Sequence, residues 1–383
     1  MADEEAMDEA TADEAGAVKA TADDVALGIL KWAQDNAAMA SDWSIPVIDR
    51  AVTVEPFPSN VAPAAAAEEV AKAEKTLQRI RVAAVAVDHA RDRVVVLTRN
   101  QVSIASAKVL PDNIAGVPVE YIGQSDIEPN PPHIPYNAIE AAPRCFVHNG
   151  RLACGTSVTV APVHAAGTMG ALVSLPDGTL CGLTNNHVTG ACNHSRLHMH
   201  VLSPSPFDAD PDHPAPTAIG RHHSFIQLAS GDPRQVALQE LDVALFEILL
   251  PNAVTSMQGV GLYDTPATVT APNGGLAVKK VGRTTGLTTG EVIGQFQTPL
   301  GIPYSSDRFR SHVYFQNAWA VRTMTGDPFS LPGDSGSLVV TADGQNAVGL
   351  VFAGTTSGDV SFIIPISTVL ASIGGTLVSA HGT

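Results

Sequence analysis

Aromatic residues make up only 5% of this sequence and charged residues only 16%. Long amphipathic helices draw on charge, so their share of the chain is small. The abundance of Val, Ala, Thr, Gly and Pro instead favours many short strands joined by turns. No stretch reaches the 18 or so uninterrupted apolar residues that a membrane-spanning helix needs. The start of the chain lacks the basic-then-apolar order of a secretory leader, so a soluble, cytoplasmic protein is expected. Positive charge is also scarce: 22 Lys and Arg face 38 Asp and Glu, a formal net charge of −16. That balance argues against a general nucleic-acid-binding role, because polyanions are held by basic surfaces. Only four cysteines occur, Cys145, Cys154, Cys181 and Cys192. Without a leader they are expected to be small buried thiols and not disulfides.

What is present falls into four segments. Residues 1–60 are acidic and Ala-rich at first, with nine carboxylates between Asp3 and Asp24. Thr21 and Asp24 then form a capping pair for a helix carrying Val25, Ile29 and Trp32 on one face. That face is expected to dock on the body of the protein or on a second subunit. Residues 61–135 read as a small α/β module: a helix over 64–81, a hairpin from Val82–Val87 and Arg93–Thr98, and a further strand at Val117–Ile122. Its role is expected to be structural or regulatory. The run from Pro129 to Pro135 marks a boundary. Beyond it, about a dozen short β runs recur between Gly, Asn and Pro turns, with hardly a helix among them. They read as antiparallel barrels, at 143–250 and 251–375, with a short closing helix at Ile366–Ile373.

The chemistry concentrates at Gly333-Asp334-Ser335-Gly336-Ser337. A serine between glycines at the entrance to a strand holds a hydroxyl forward and aims backbone N–H groups into one small space. Acyl transfer needs both a nucleophile and donors for the oxyanion. A serine hydroxyl also needs a base, and the base needs a carboxylate to hold its tautomer. His187 ends the strand-like Leu183-Thr184-Asn185-Asn186, and Asp242 opens the apolar Val243–Phe246. The order His187, Asp242, Ser335 differs from the orders of subtilisins and α/β-hydrolases.

At these residues the sequence resembles the trypsin-like serine proteases of chymotrypsin fold, over roughly residues 145–375. Thr184-Asn185-Asn186-His187-Val188, Leu241-Asp242-Val243-Ala244-Leu245 and Gly333–Ser337 together are similar to a bacterial and plant branch that includes the narrow-leaf type. The resemblance implies a mainly β fold of two antiparallel barrels with an N-terminal helical, α/β extension. It implies a serine endopeptidase with Ser335 as nucleophile, His187 as base and Asp242 as orienting acid. The N–H groups of Gly333 and Ser335 would form the oxyanion hole. It brings no metal and no cofactor, and its partner is a protein or peptide substrate. Inactive members of the family and small-ester hydrolysis by the same triad are the rival readings.

Lys280-Val281-Gly282-Arg283-Thr284-Thr285-Gly286 is similar to the segment opening the second barrel of streptogrisins and α-lytic protease. By that resemblance Lys280, or else Arg283, pairs with Asp334, and the site forms without zymogen cleavage. Ungapped counting puts Phe329 at the base of the primary specificity pocket, with Ser330 beside it. A two-residue shift would put Asp327 there. Without a carboxylate, an apolar or small residue is expected at the cleavage site. Phe352 and Gly354, within Val351–Gly354, are expected on the strand edge that pairs with an extended substrate. The His-rich stretch (His194, His198, His200, His213, His222, His223, near Asp208, Asp210 and Asp212) matches no zinc spacing and reads as a surface loop.

Overall fold

The computed structural model describes residues 20–40, 54–57, 64–123, 127–129, 145–161, 163, 166–209, 215–231, 238–306 and 308–383. The fold is mainly β, with one barrel closed and the other a half-barrel. Six strands form the closed barrel in the order Ala277–Gly282, Leu338–Thr341, Asn346–Thr355, Val360–Pro365, Trp319–Thr323 and Gly286–Phe296. Pairing of Val278 with Gly290 and Lys280 with Thr288 returns the last strand to the first and closes the ring. Val278, Val292, Val321, Phe329, Val339, Val348, Val351 and Ile363 fill part of its interior.

The half-barrel runs Ala171–Ser174, Leu180–Thr184, Ala244–Ile248, Thr217–Phe225, His200–Ser203 and Ser157–Val160. Its core includes Met169, Leu172, Val201, Phe246 and Ile248. Strand Thr217–Phe225 was not expected, because Arg221, His222 and His223 interrupt the apolar alternation that marks a strand. Hairpin strand Leu300–Ser306, paired along its length with Phe309–Phe315, escaped for a similar reason, with Gly301, Pro303 and two serines in seven residues.

The N-terminal helix Ala22–Asp35 begins at Thr21, whose side chain and Asp24 cap each other reciprocally. It docks on the body of the protein: Val25, Ile29 and Leu30 are buried in one cluster with Leu77, Val85 and Val96. Trp32 packs edge-on against Phe57 at 4.8 Å. Strands Val82–Asp88 and Arg93–Thr98 form the expected hairpin, and Val117–Ile122 adds to it in parallel. The hairpin also pairs Ala86 with Phe296, so its sheet continues that of the closed barrel. Helix Ile366–Ile373 follows the last barrel strand and buries Ile366 and Val369. No described helix is long and apolar enough to cross a membrane. All four cysteines are free thiols.

Candidate active site

Strand register brings the histidine and aspartate together. Leu180–Thr184 and Ala244–Ile248 run antiparallel, with Thr184 opposite Ala244. The chain leaving Thr184 therefore starts beside the chain entering Ala244. His187 lies three residues past one end and Asp242 two residues before the other. His187 sits in a single wide helical turn, Asn186–Gly190. Its Nδ1 is 2.5 Å from Asp242 Oδ2, and its backbone N–H donates to Asp242 Oδ1 at 3.2 Å. Asn185 Nδ2 donates to the Asp242 carbonyl at 2.6 Å, which fixes the same turn from below. Asp242 is fully buried. A carboxylate without water stays ionised only when donors surround it. A further donor is Tyr304 Oη, 2.6 Å from Oδ2.

The serine arrives from the closed barrel. Its turn is stitched to the half-barrel by one residue: Thr168 N–H donates to the Ser335 carbonyl at 2.8 Å, and Thr168 Oγ1 donates to the Gly333 carbonyl at 2.9 Å. Gly333 and Gly336 have φ of +99° and +91°, the left-handed region that favours glycine. A Cβ on Gly336 would lie 2.4 Å from the Thr168 carbonyl oxygen and 3.2 Å from Thr184 Cα. The serine turn thus abuts the end of the strand that leads to His187. Ser335 Oγ and His187 Nε2 are both buried, and neither has a hydrogen-bond partner among the described residues. Native interiors rarely leave such atoms unpaired.

Backbone donors show the same pattern. The N–H groups of Asp334, Gly336 and Ser337 are taken by Leu331, Val351 and Asp334 carbonyls, while those of Gly333 and Ser335 donate to no described residue. Ser337 donates its hydroxyl to the Asp334 carbonyl at 2.5 Å and tightens the turn.

Asp334 points inward. It accepts from Lys280 Nζ at 3.3 Å, Thr285 Oγ1 at 2.7 Å, and the N–H groups of Thr284 at 2.8 Å and Leu331 at 3.0 Å. Of the two cations considered for it, Lys280 is the partner. Arg283 is buried against Asp208, donating to it through Nε at 2.8 Å. Asp208 also accepts from Ser157 Oγ at 2.5 Å. This Arg283–Asp208 pair was not anticipated, since Asp208 reads as part of a polar surface stretch. Of that stretch, Asp210, Asp212 and His213 lie outside the described residues.

The expected specificity residues divide. Phe329 is fully buried among the valines of the closed barrel, and Phe352 lies in the larger core, 4.8 Å from the Phe315 ring. Neither ring faces the strand edge. Asp327 is exposed. Ser330 Oγ bonds to Ser361 Oγ at 2.6 Å, beside Gly354. Gly354 lies on the edge of strand Asn346–Thr355, and that edge is taken: residues Ile127–Pro129 pair with it antiparallel, Pro129 opposite Ala353, Glu128 opposite Gly354 and Ile127 opposite Thr355. A polar, Pro-rich stretch gave no sign of this strand, because the pairing is made by backbone.

No family model matches the sequence, and no curated protein matches it. Solved structures that resemble the fold include a glutamic-acid-specific serine protease described as using a histidine triad in substrate binding. It is 20% identical, covers 59% of this chain and 100% of its own, and has a TM-score of 0.38. Protease A of Thermobifida fusca is 20% identical over 60% of this chain and 100% of its own, with a TM-score of 0.38. An α-lytic protease homologue, N4, is 18% identical over 61% and 99%, with a TM-score of 0.37.

Proposed function

We propose that the protein is a serine endopeptidase that acts through an acyl-enzyme on Ser335. The observation that carries this reading is the strand Ile127–Pro129 lying antiparallel on Ala353–Thr355, on the strand whose Val351 carbonyl accepts the N–H of Gly336 next to Ser335. The edge leading to the nucleophile takes extended polypeptide. A small ester would have no use for such an edge, whereas a peptide gains backbone hydrogen bonds along it.

In this reading Ser335 Oγ attacks the scissile carbonyl carbon while its proton passes to His187 Nε2. The developing oxyanion is held by the N–H groups of Gly333 and Ser335. His187 then gives its proton to the leaving amine as the C–N bond breaks, which leaves an ester on Ser335. Water, deprotonated by His187, hydrolyses that ester. Asp242 remains ionised throughout and holds the imidazole with Nδ1 protonated. The groups nearest a side chain at Gly354 are the Val360 carbonyl, the Ser361 backbone and the Ser330 hydroxyl, none of them a carboxylate. That favours a small or apolar residue at the cleavage site over Arg or Lys.

The test is fluorophosphonate labelling of the wild type against Ser335→Ala, followed by digestion of a peptide library. Labelling confined to the wild type, with defined peptide cleavage, is expected, and Ser335→Ala should lose a factor on the order of 10⁴ in turnover. Absence of labelling in the wild type would leave a binding module. Labelling with ester but no peptide turnover would make it an esterase.

A further inference from the structure

The Asp242 carboxylate is fully buried, and among the described residues its donors are His187, through ring and backbone, and a phenol from another part of the chain, with no lysine or arginine beside them. Tyr304 stands on the hairpin of Leu300–Ser306 and Phe309–Phe315, which reaches over from the closed-barrel half of the chain. It is buried, and its ring centroid lies 5.4 Å from that of His187 and 6.2 Å from that of Phe315. The packing leaves the phenol little freedom to turn away from Asp242.

We propose that Tyr304 is a positioning residue for the His187–Asp242 pair, holding Asp242 Oδ2 through its hydroxyl and thereby setting the basicity of His187. This inference rests on the protease reading of Ser335. Tyr304 Oη at 2.6 Å and His187 Nδ1 at 2.5 Å share the same oxygen, Oδ2. A hydrogen bond to a carboxylate draws charge from it. The phenol therefore lowers the pull of Asp242 on the Nδ1 proton, and it supplies the solvation that a fully buried carboxylate lacks. Burial, reinforced by the Asp242 charge, drives the Tyr304 hydroxyl well above its ordinary value. It stays protonated across the working range and always donates. The other titratable group facing this pair is Cys192, whose thiol burial pushes up to about 12, so it stays neutral.

Tyr304→Phe removes the hydroxyl and keeps the ring. With one donor lost, the charge on Asp242 concentrates on His187, and the imidazolium is favoured. Because Oδ2 also loses the anchor that keeps the imidazole in line, the expected result is a kcat lower by about 10- to 100-fold, the range for a hydrogen bond to a charged group, with KM little changed. The acid limb of the kcat/KM profile should move to higher pH. The His187 Nδ1 proton resonance and the His187 titration midpoint, followed by NMR, should move in the same sense. Those two NMR readouts need no turnover. If the wild type neither labels nor cleaves, the protease reading fails, and the NMR titration still decides the role of Tyr304. An unchanged acid limb and an unchanged His187 titration in a folded Tyr304→Phe protein would overturn the inference. A lowered melting temperature with both unmoved would make Tyr304 merely structural.

Discussion

Lys280 Nζ lies 3.3 Å from Asp334 Oδ2, and both side chains have no exposure to solvent. Burial pushes the Lys280 ammonium below its ordinary value, and Asp334 pulls it back up. The pair joins a strand of the closed barrel to the residue immediately before Ser335. The cation that shapes the serine turn is therefore part of the uncut chain. The full-length protein, verified intact by mass, is expected to take up a fluorophosphonate. Labelling seen only after a cut near residue 145 would refute this.

Removing one member of a buried pair strands the other. Lys280→Met should lower unfolding free energy by about 3–5 kcal/mol, less whatever the threonine and backbone donors of Asp334 recover. Urea denaturation measures the first quantity. The rate of fluorophosphonate uptake, which should fall, measures the distortion of the turn.

Gly336→Ala puts a methyl 2.4 Å from the Thr168 carbonyl oxygen at a φ of +91°. Backbone cannot yield there without parting the serine turn from the half-barrel. A cost of about 1–3 kcal/mol is expected from the strained φ alone, together with loss of labelling. A variant as stable and as reactive as the wild type would show that the seam is slack.

His222 is fully buried in strand Thr217–Phe225, stacked on Phe225 at 5.6 Å, and neither ring nitrogen has a partner among the described residues. Burial, with a smaller push from His223, lowers its pKa from 6.5 to about 4. In that interval the unfolded chain binds a proton that the native state refuses. Stability is thus full above pH 6.5 and declines as pH falls towards 4. Thermal melts from pH 7 to pH 4 should show the decline in wild type and a shallower one in His222→Phe. Equal slopes would assign the acid sensitivity elsewhere.

Glu128 stands opposite Gly354 on the occupied edge. Glu128→Pro removes the backbone N–H at that position and fixes its φ, which disfavours the pairing. Peptide cleavage by this variant is expected at a lower apparent KM than in the wild type, with kcat unchanged. An unaltered KM would mean that residues 127–129 offer a substrate no competition.

The parts of the site that were legible in the sequence are those tied to strand ends. Asn185-Asn186-His187 and Leu241-Asp242-Val243 each join a polar residue of fixed chemistry to an apolar strand, and the strands carry them to the same place. Gly333 and Gly336 announce a turn that only glycine can make. Lys280 became legible only through the resemblance of the segment Lys280–Gly286 to the opening of a second barrel. Tyr304 had no such frame: in Ile302-Pro303-Tyr304-Ser305 it reads as one apolar residue among others, and its partner is 62 residues away. Phe329 is placed by counting back from Ser335, which fixes a position along the chain; the ring's burial among valines follows from the barrel and not from that count. Strand 127–129 was invisible because backbone pairing leaves no mark on side-chain pattern.

A tethered occupant sets a threshold. A segment joined to its own docking edge by a short linker acts at an effective concentration on the order of millimolar. A free peptide that binds the edge more weakly than that is excluded at ordinary levels. In the proposed protease reading, selection of substrates then begins with their ability to unseat Ile127–Pro129 from Ala353–Thr355. Long, extended and unstructured chains meet that demand. Short peptides and folded surfaces do not.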